Sequence, residues 1–186
     1  MQTKLNLRLG VLALIVLAAA MSRLLPHPPN ATAVGAMALF GGAYFTQRWQ
    51  GILLPLVAMW LSDLVLNNVI YKEYNPTFTL FTEGSVFIYG SIALITVLGW
   101  TLLKKVKVAN VVGASLIGSV LFFLISNFGV WYGSGMYPQT ATGLTMCYTA
   151  GLPFLINTVL GDMIWCAVLF GGFELAQQRV SVLARH

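Results

Sequence analysis

Gln50-Gly51-Ile52-Leu53-Leu54-Pro55-Leu56-Val57-Ala58-Met59-Trp60-Leu61-Ser62-Asp63-Leu64-Val65-Leu66-Asn67-Asn68-Val69-Ile70 is an apolar run of bilayer-crossing length with a carboxylate set inside it. A helix rises 1.5 Å per residue, so about 20 apolar residues cross a hydrocarbon layer roughly 30 Å thick. The run therefore reads as a transmembrane helix, and Asp63 lies within it. A carboxylate at that depth costs roughly 2.5–3.5 kcal/mol on insertion scales and persists where it has a partner, water or a ligand. The pattern recurs near the other end of the chain, in Leu160-Gly161-Asp162-Met163-Ile164.

The whole sequence agrees with that start. Of 186 residues, 58% are hydrophobic and 8% charged, against about 25% charged in a soluble domain. The fold class is all-α, a polytopic membrane protein of six transmembrane helices forming one domain over residues 1–186. The spans fall at about Leu7–Leu25, Thr32–Phe45, Gln50–Ile70, Ser85–Leu103, Ala109–Asn127 and Leu152–Leu175. The continuous apolar runs argue against a β-barrel, whose segments are short and alternating. Lys4 and Arg8 before an apolar run, with Ala18-Ala19-Ala20 after it, resemble a signal peptide. The apolar stretch continues to Leu25, so a retained first helix is the preferred reading.

With the N-terminus inside, Lys4, Arg8, Arg48, Lys104, Lys105, Lys107, Arg179 and Arg185 lie on the inner side, and only Arg23 and Lys72 on the outer. The positive-inside rule then places both termini in the cytoplasm, as expected for a bacterial inner membrane protein. The net charge of +5 is thus a topology signal, and no basic stripe with interleaved aromatics offers a nucleic-acid surface. Cys147 and Cys166 form no CxxC and read as unpaired thiols, one in an outer loop and one in a helix.

The outer connections concentrate polar and aromatic groups. Residues three and four apart share a helix face. Trp60, Asp63 and Asn67 form one such stripe, with Asn68 beside it. Thr158, Asp162, Trp165 and Cys166 form another, with Asn157 one turn outward. Asn30 stands at the entry to the second span and Asn127 at the outer end of the fifth. Phe78 lies in the outer segment 71–84, and Trp131, Tyr132 and Tyr137 in the outer segment 128–151. The expectation is an outward cup: the two aspartates at similar depth above the floor of Trp60 and Trp165, oriented by Asn30, Asn67, Asn127 and Asn157, roofed by the loop aromatics. The alternative is structural, with the aspartates and asparagines satisfying helix ends and holding helices together. Walker, HExxH and GxSxG motifs are missing, as are the contexts of intramembrane aspartyl proteases, so catalysis is not expected.

Pro29-Asn30-Ala31-Thr32-Ala33-Val34-Gly35-Ala36-Met37-Ala38-Leu39-Phe40-Gly41-Gly42-Ala43, followed by Leu61-Ser62-Asp63-Leu64, is similar to the early part of the substrate-binding S-components of energy-coupling-factor vitamin transporters. The layout of six short spans resembles that family over the whole chain, and the residue match covers about a quarter of it. The resemblance implies uptake of a vitamin-like small molecule and a partnership with an energy-coupling membrane subunit and ATPases. The family's Ala-x-x-x-Ala coupling pattern is represented only by Ala38-x-x-x-Gly42, Ala114-x-x-x-Gly118 and Ala167-x-x-x-Gly171. Solitary members that carry cobalamin bind cobalt through a cysteine; Cys147 and His27 are the metal candidates here, cobalamin then being substrate, and no resident cofactor is expected. Two further readings are a non-transporting subunit that docks through its glycine-rich second and fifth helices, and a proton-coupled carrier acting alone.

Overall fold

The long apolar runs form helices that leave few polar groups to reconcile with lipid. The computed structural model describes residues 2–74, 77–180 and 183, with side chains from Asn6 onward. Asn75 and Pro76 of the aromatic segment, and Arg185 of the charge count, lie outside the described residues, as does the side chain of Lys4. Described residues are helical or in turns, without strands. Helix α1 is Gln2–Met21, tightening to a 3₁₀ turn at Ser22–Leu24; α2 is Val34–Tyr44; α3 is Arg48–Val65, widening to a π-helical turn at Leu66–Ile70. Helix α4 is Ser85–Leu102, α5 is Val108–Gly133, and α6 is Ala141–Cys166, which passes through a π-helical turn at Ala167–Gly171 into α7, Gly172–Arg179. Five helical segments are long and apolar enough to cross a membrane, the last of them Ala141–Arg179.

The expected second span is different. Helix α2 has 11 residues, every one buried, and at 1.5 Å per residue it is about 16 Å long, half a bilayer core. It is a half-helix enclosed by its neighbours. Its far end is held where Arg8 donates to the Tyr44 carbonyl (3.3 Å) and the Tyr44 hydroxyl donates to Glu174 (2.6 Å). Phe40, Tyr44, Phe170 and Phe173 pack edge to face around that end. Its near end begins midway through the bundle, because the segment after α1 does not turn at the surface. Residues 26–33 run down beside α6: Asn157 donates to the Pro29 carbonyl (3.0 Å), and a Cβ on Gly161 would stand 2.8 Å from the Cα of Ala31. Asn30 takes φ 64°, a left-handed conformation that asparagine tolerates better than most residues. Irregular backbone at this depth is tolerated where protein encloses it or where it lines a cavity.

Small residues make that enclosure dense. A Cβ on Gly42 would collide with the Thr96 carbonyl of α4, and one on Gly99 would stand 2.7 Å from the Leu39 carbonyl of α2. Gly42→Ala is expected to destabilise the bundle by about 1–3 kcal/mol, the usual range for overpacking, read as a lower thermal-unfolding midpoint in detergent. Ala38-x-x-x-Gly42 is thus spent on internal packing, as is Gly118, whose Cβ would meet Ile95 at 3.4 Å. With α2 wholly buried, the second helix offers no face to a partner, which corrects that part of the docking reading.

The other boundaries also shift. Helix α5 continues to Gly133 and α6 starts at Ala141, so the expected 128–151 loop shrinks to residues 134–140. Trp131 and Tyr132 are helical residues, and so is Cys147, which is buried in α6 instead of exposed in an outer loop.

Candidate functional site

Arg23 decides how Asp63 is used. The 3₁₀ turn at the end of α1 brings its guanidinium to α3, where Nη1 lies 2.7 Å from Asp63 Oδ1, 2.6 Å from Ser62 Oγ and 2.9 Å from Met59 Sδ. The Tyr89 hydroxyl of α4 donates to the other carboxylate oxygen at 2.7 Å. Asp63 is therefore an ion-paired tie between α1, α3 and α4, with both side chains mostly buried (13% and 18% exposed). Trp60 stacks on Phe81, which packs edge to face on Tyr89. The indole belongs to this cluster and lines neither cavity described below.

Asp162 has a different environment. It is 2% exposed, and its Oδ1 accepts the backbone N–H of Ala36 at 3.2 Å while Oδ2 accepts the Ser119 hydroxyl at 2.7 Å. Gly35 and Ala36 are in the first turn of α2, where N–H groups have no partner within the helix. The residue before α2, Ala33, supplies no side-chain cap, so Asp162 caps the helix from α6. Gly35 makes the approach possible, since a Cβ there would lie 2.5 Å from both carboxylate oxygens. Helix α6 begins earlier than anticipated, so the two aspartates stand at different distances from the ends of their helices. Asp63 is seven residues, about 10 Å, from the end of its helix, whereas Asp162 is 21 residues, about 32 Å, from the start of α6.

Two chambers connect these groups. The upper one, about 410 Å³, lies among α4, α5 and α6; Glu83, Ser134 and Tyr137 mark its polar mouth, and Ser126, Asn127 and Cys147 line its wall. The lower one, about 130 Å³, is lined by Arg23, Thr32, Gly35, Met59, Thr158 and Asp162. Asn30, Ile88 and Phe122 border both, so the two spaces adjoin at the descending segment. The result is a funnel narrowing toward Arg23, Asp162 and the N-terminal end of α2.

Of the sequence-derived residues, Asn30, Asn127, Tyr137, Cys147, Thr158 and Asp162 line this funnel. The others do not. Asn67 is on the π-helical turn, and Asn157 is engaged with Pro29. Trp165 packs against the core. Phe78 is 74% exposed. Trp131 and Tyr132 stack with Phe128 on α5, and the Trp131 indole donates to the Pro138 carbonyl at 3.0 Å, so they secure the turn before α6 and do not roof the chamber. Asn68 holds the 77–84 segment by donating to the Thr79 carbonyl and accepting its N–H, at 2.9 and 2.7 Å. His27 is exposed beside the Leu25 carbonyl, and the Cys147 thiol lies 3.3 Å from the Asn127 carbonyl. Among the described residues no cluster of three His, Cys, Asp or Glu side chains exists to hold a metal. Arg23 is the residue the sequence reading missed, having been counted only as a topology charge.

These features define an all-helical bundle with five membrane-length apolar segments around a buried half-helix, and with a polar funnel entering at one end. The chain belongs to the family of unknown function DUF6580, whose model matches residues 3–183. No curated protein and no solved structure matches it.

Proposed function

We propose that this protein takes up a small, vitamin-sized nutrient, binding it from the outer face in the funnel and releasing it inward, in the manner of an S-component. The observation that carries the reading is the pair of adjoining chambers, sharing Asn30, Ile88 and Phe122, that lie between Glu83–Tyr137 and the buried Asp162. The upper chamber, within the 300–1,000 Å³ of common ligand sites, suits the body of such a molecule. The lower chamber suits a polar head that donates to Asp162 and accepts from Arg23, a wider class than the cationic ligand expected from two free aspartates. A half-helix directing its N-terminus toward an intramembrane chamber is an arrangement that transporters use. In this reading six helices, counting α2, lie in the bacterial inner membrane with both termini cytoplasmic, and an energy-coupling subunit with ATPases drives release.

The test is a thermal-shift screen of purified protein against vitamins and their precursors. A ligand is expected to raise the unfolding midpoint of the wild type by an amount that grows with concentration. The same ligand should leave Gly133→Trp unmoved. Gly133 lines the upper chamber with open space where its Cβ would be, so the indole fills the chamber without a backbone clash. A panel without any stabilising compound, or equal shifts in both proteins, rejects the site. The paired Asp63 favours the non-transporting subunit as the second reading, which predicts that empty panel. Uptake that collapses with a protonophore and needs no ATPase would identify a carrier acting alone.

A further inference from the structure

A further cavity, of about 400 Å³, lies at the opposite end of the bundle between the start of α5 and the π-helical turn of α6. Its walls are apolar: Val108, Val111 and Val112 on one side, Met163, Ala167 and Phe170 on the other. Lys107 lines it, and Lys104 and Lys105 are exposed in the same short turn. Glu174 also lines it, with one oxygen already accepting from Tyr44. The π-helical turn adds width here, and Gly171 leaves open space where a side chain would stand. We infer that this groove seats one acyl chain of an anionic phospholipid whose phosphate is held by Lys107 with Lys104 and Lys105.

The apolar walls suit an acyl chain. The charge argues for the headgroup. Three lysines stand against one glutamate, and among the described residues the only ion pair is Arg23–Asp63, at the other end of the molecule. Clusters of basic residues beside a membrane-crossing helix attract anionic lipids, at about one kcal/mol per Lys or Arg near the surface. By the positive-inside rule this end faces the cytoplasmic leaflet. Ala167-x-x-x-Gly171 falls on the groove wall, where small side chains keep the trough open.

The experiment is native mass spectrometry of the full chain, delipidated in detergent and titrated separately with phosphatidylglycerol, phosphatidylethanolamine and phosphatidylcholine of matched chains. Phosphatidylglycerol is expected to occupy the protein at least fivefold more than either zwitterionic lipid at equal concentration. The K104Q/K105Q/K107Q variant should lose that preference while retaining chain-dependent binding. Gly171→Phe should lower occupancy by all three lipids, and circular dichroism should show both variants folded. Equal occupancy by the three lipids overturns the inference, as does preference for phosphatidylethanolamine, which would pair Glu174 with its ammonium. So does a preference that survives the lysine substitutions, or occupancy indifferent to Gly171→Phe. A second copy of the chain bound in place of lipid, and lost in Gly171→Phe, would assign the groove to a protein helix and overturn it too.

Discussion

Asp162→Ala should be among the more damaging single changes in the molecule, lowering stability by about 2–4 kcal/mol, since a buried N–H left without a partner costs about 1–3 kcal/mol and the truncation adds a cavity where the carboxylate stood. The substitution releases the Ala36 N–H and strips α2 of its cap, while the Ser119 hydroxyl turns to the Ser115 carbonyl 3.0 Å away. Loss of a cap alone costs about 0.5–2 kcal/mol, and here the helix end is inside the bundle, beside the lower chamber. On the scale of a domain of this size, where one kcal/mol shifts the midpoint by about 2–4 °C, the thermal midpoint in detergent should fall by about 4–16 °C. Asp162→Asn provides the contrast. Its amide oxygen still accepts from Ala36, its NH₂ can donate to Ser119 Oγ, and the Ser119 hydroxyl can donate to the Ser115 carbonyl, already 3.0 Å away. Stability should then stay within about 1 kcal/mol of wild type, because every buried group keeps a partner. Gly35→Ala should reproduce much of the damage without touching the carboxylate, by driving a methyl into the space both oxygens occupy. Equal midpoints for wild type and Asp162→Ala would show that the cap contributes nothing. If Asp162→Asn keeps its stability and loses response to a ligand found in the screen, the carboxylate serves the funnel as well as the helix.

Helix positions were legible in the sequence because apolar runs of bilayer length have few alternatives. Their ends were less so. Trp131-Tyr132 and Cys147-Tyr148 read as loop because aromatic, glycine and polar residues crowd 128–151, yet Phe87, Phe128 and Tyr132 pack together and the Tyr148 hydroxyl donates to the Leu124 carbonyl at 2.8 Å. Tertiary contacts carried both helices past a region of weak local preference. Helix α2 was visible as a short stretch of small residues, but its burial and offset start depend on the descent of 26–33 along α6, made possible by Gly161, and no local pattern encodes that. The aspartates were legible as anomalies. Their partners were less so, since Arg23 is 40 positions from Asp63 and Ala36 is 126 from Asp162. One sequence signal could have found Arg23: a buried carboxylate needs a partner, and only Arg23 and Lys72 were available on that side of the membrane.

That pairing carries the second large effect. Arg23→Ala and Asp63→Ala should each cost about 2–4 kcal/mol, a little under the 3–5 kcal/mol seen when a fully buried pair is broken, because both side chains keep some contact with solvent. The consequences differ. Without Arg23, Asp63 keeps only the Tyr89 hydroxyl, and the lower chamber loses its one cation; without Asp63, Arg23 keeps Ser62 and Met59 and an uncompensated charge points toward Asp162's chamber. The Arg23→Leu/Asp63→Leu double variant, with Tyr89→Phe added to remove the stranded hydroxyl, should recover most of the lost stability, as apolar replacements of buried ion pairs often do. A double-mutant cycle between the two charges should give a coupling of about 2 kcal/mol or more, whereas additive single effects would mean the pair is incidental to the fold. The rescued protein then separates structure from recognition. Restored stability with a lost ligand response means Arg23 serves the chamber directly, while restoration of both leaves Asp162 and the asparagines to carry binding and reduces Arg23 to the strut that holds α1 against α3.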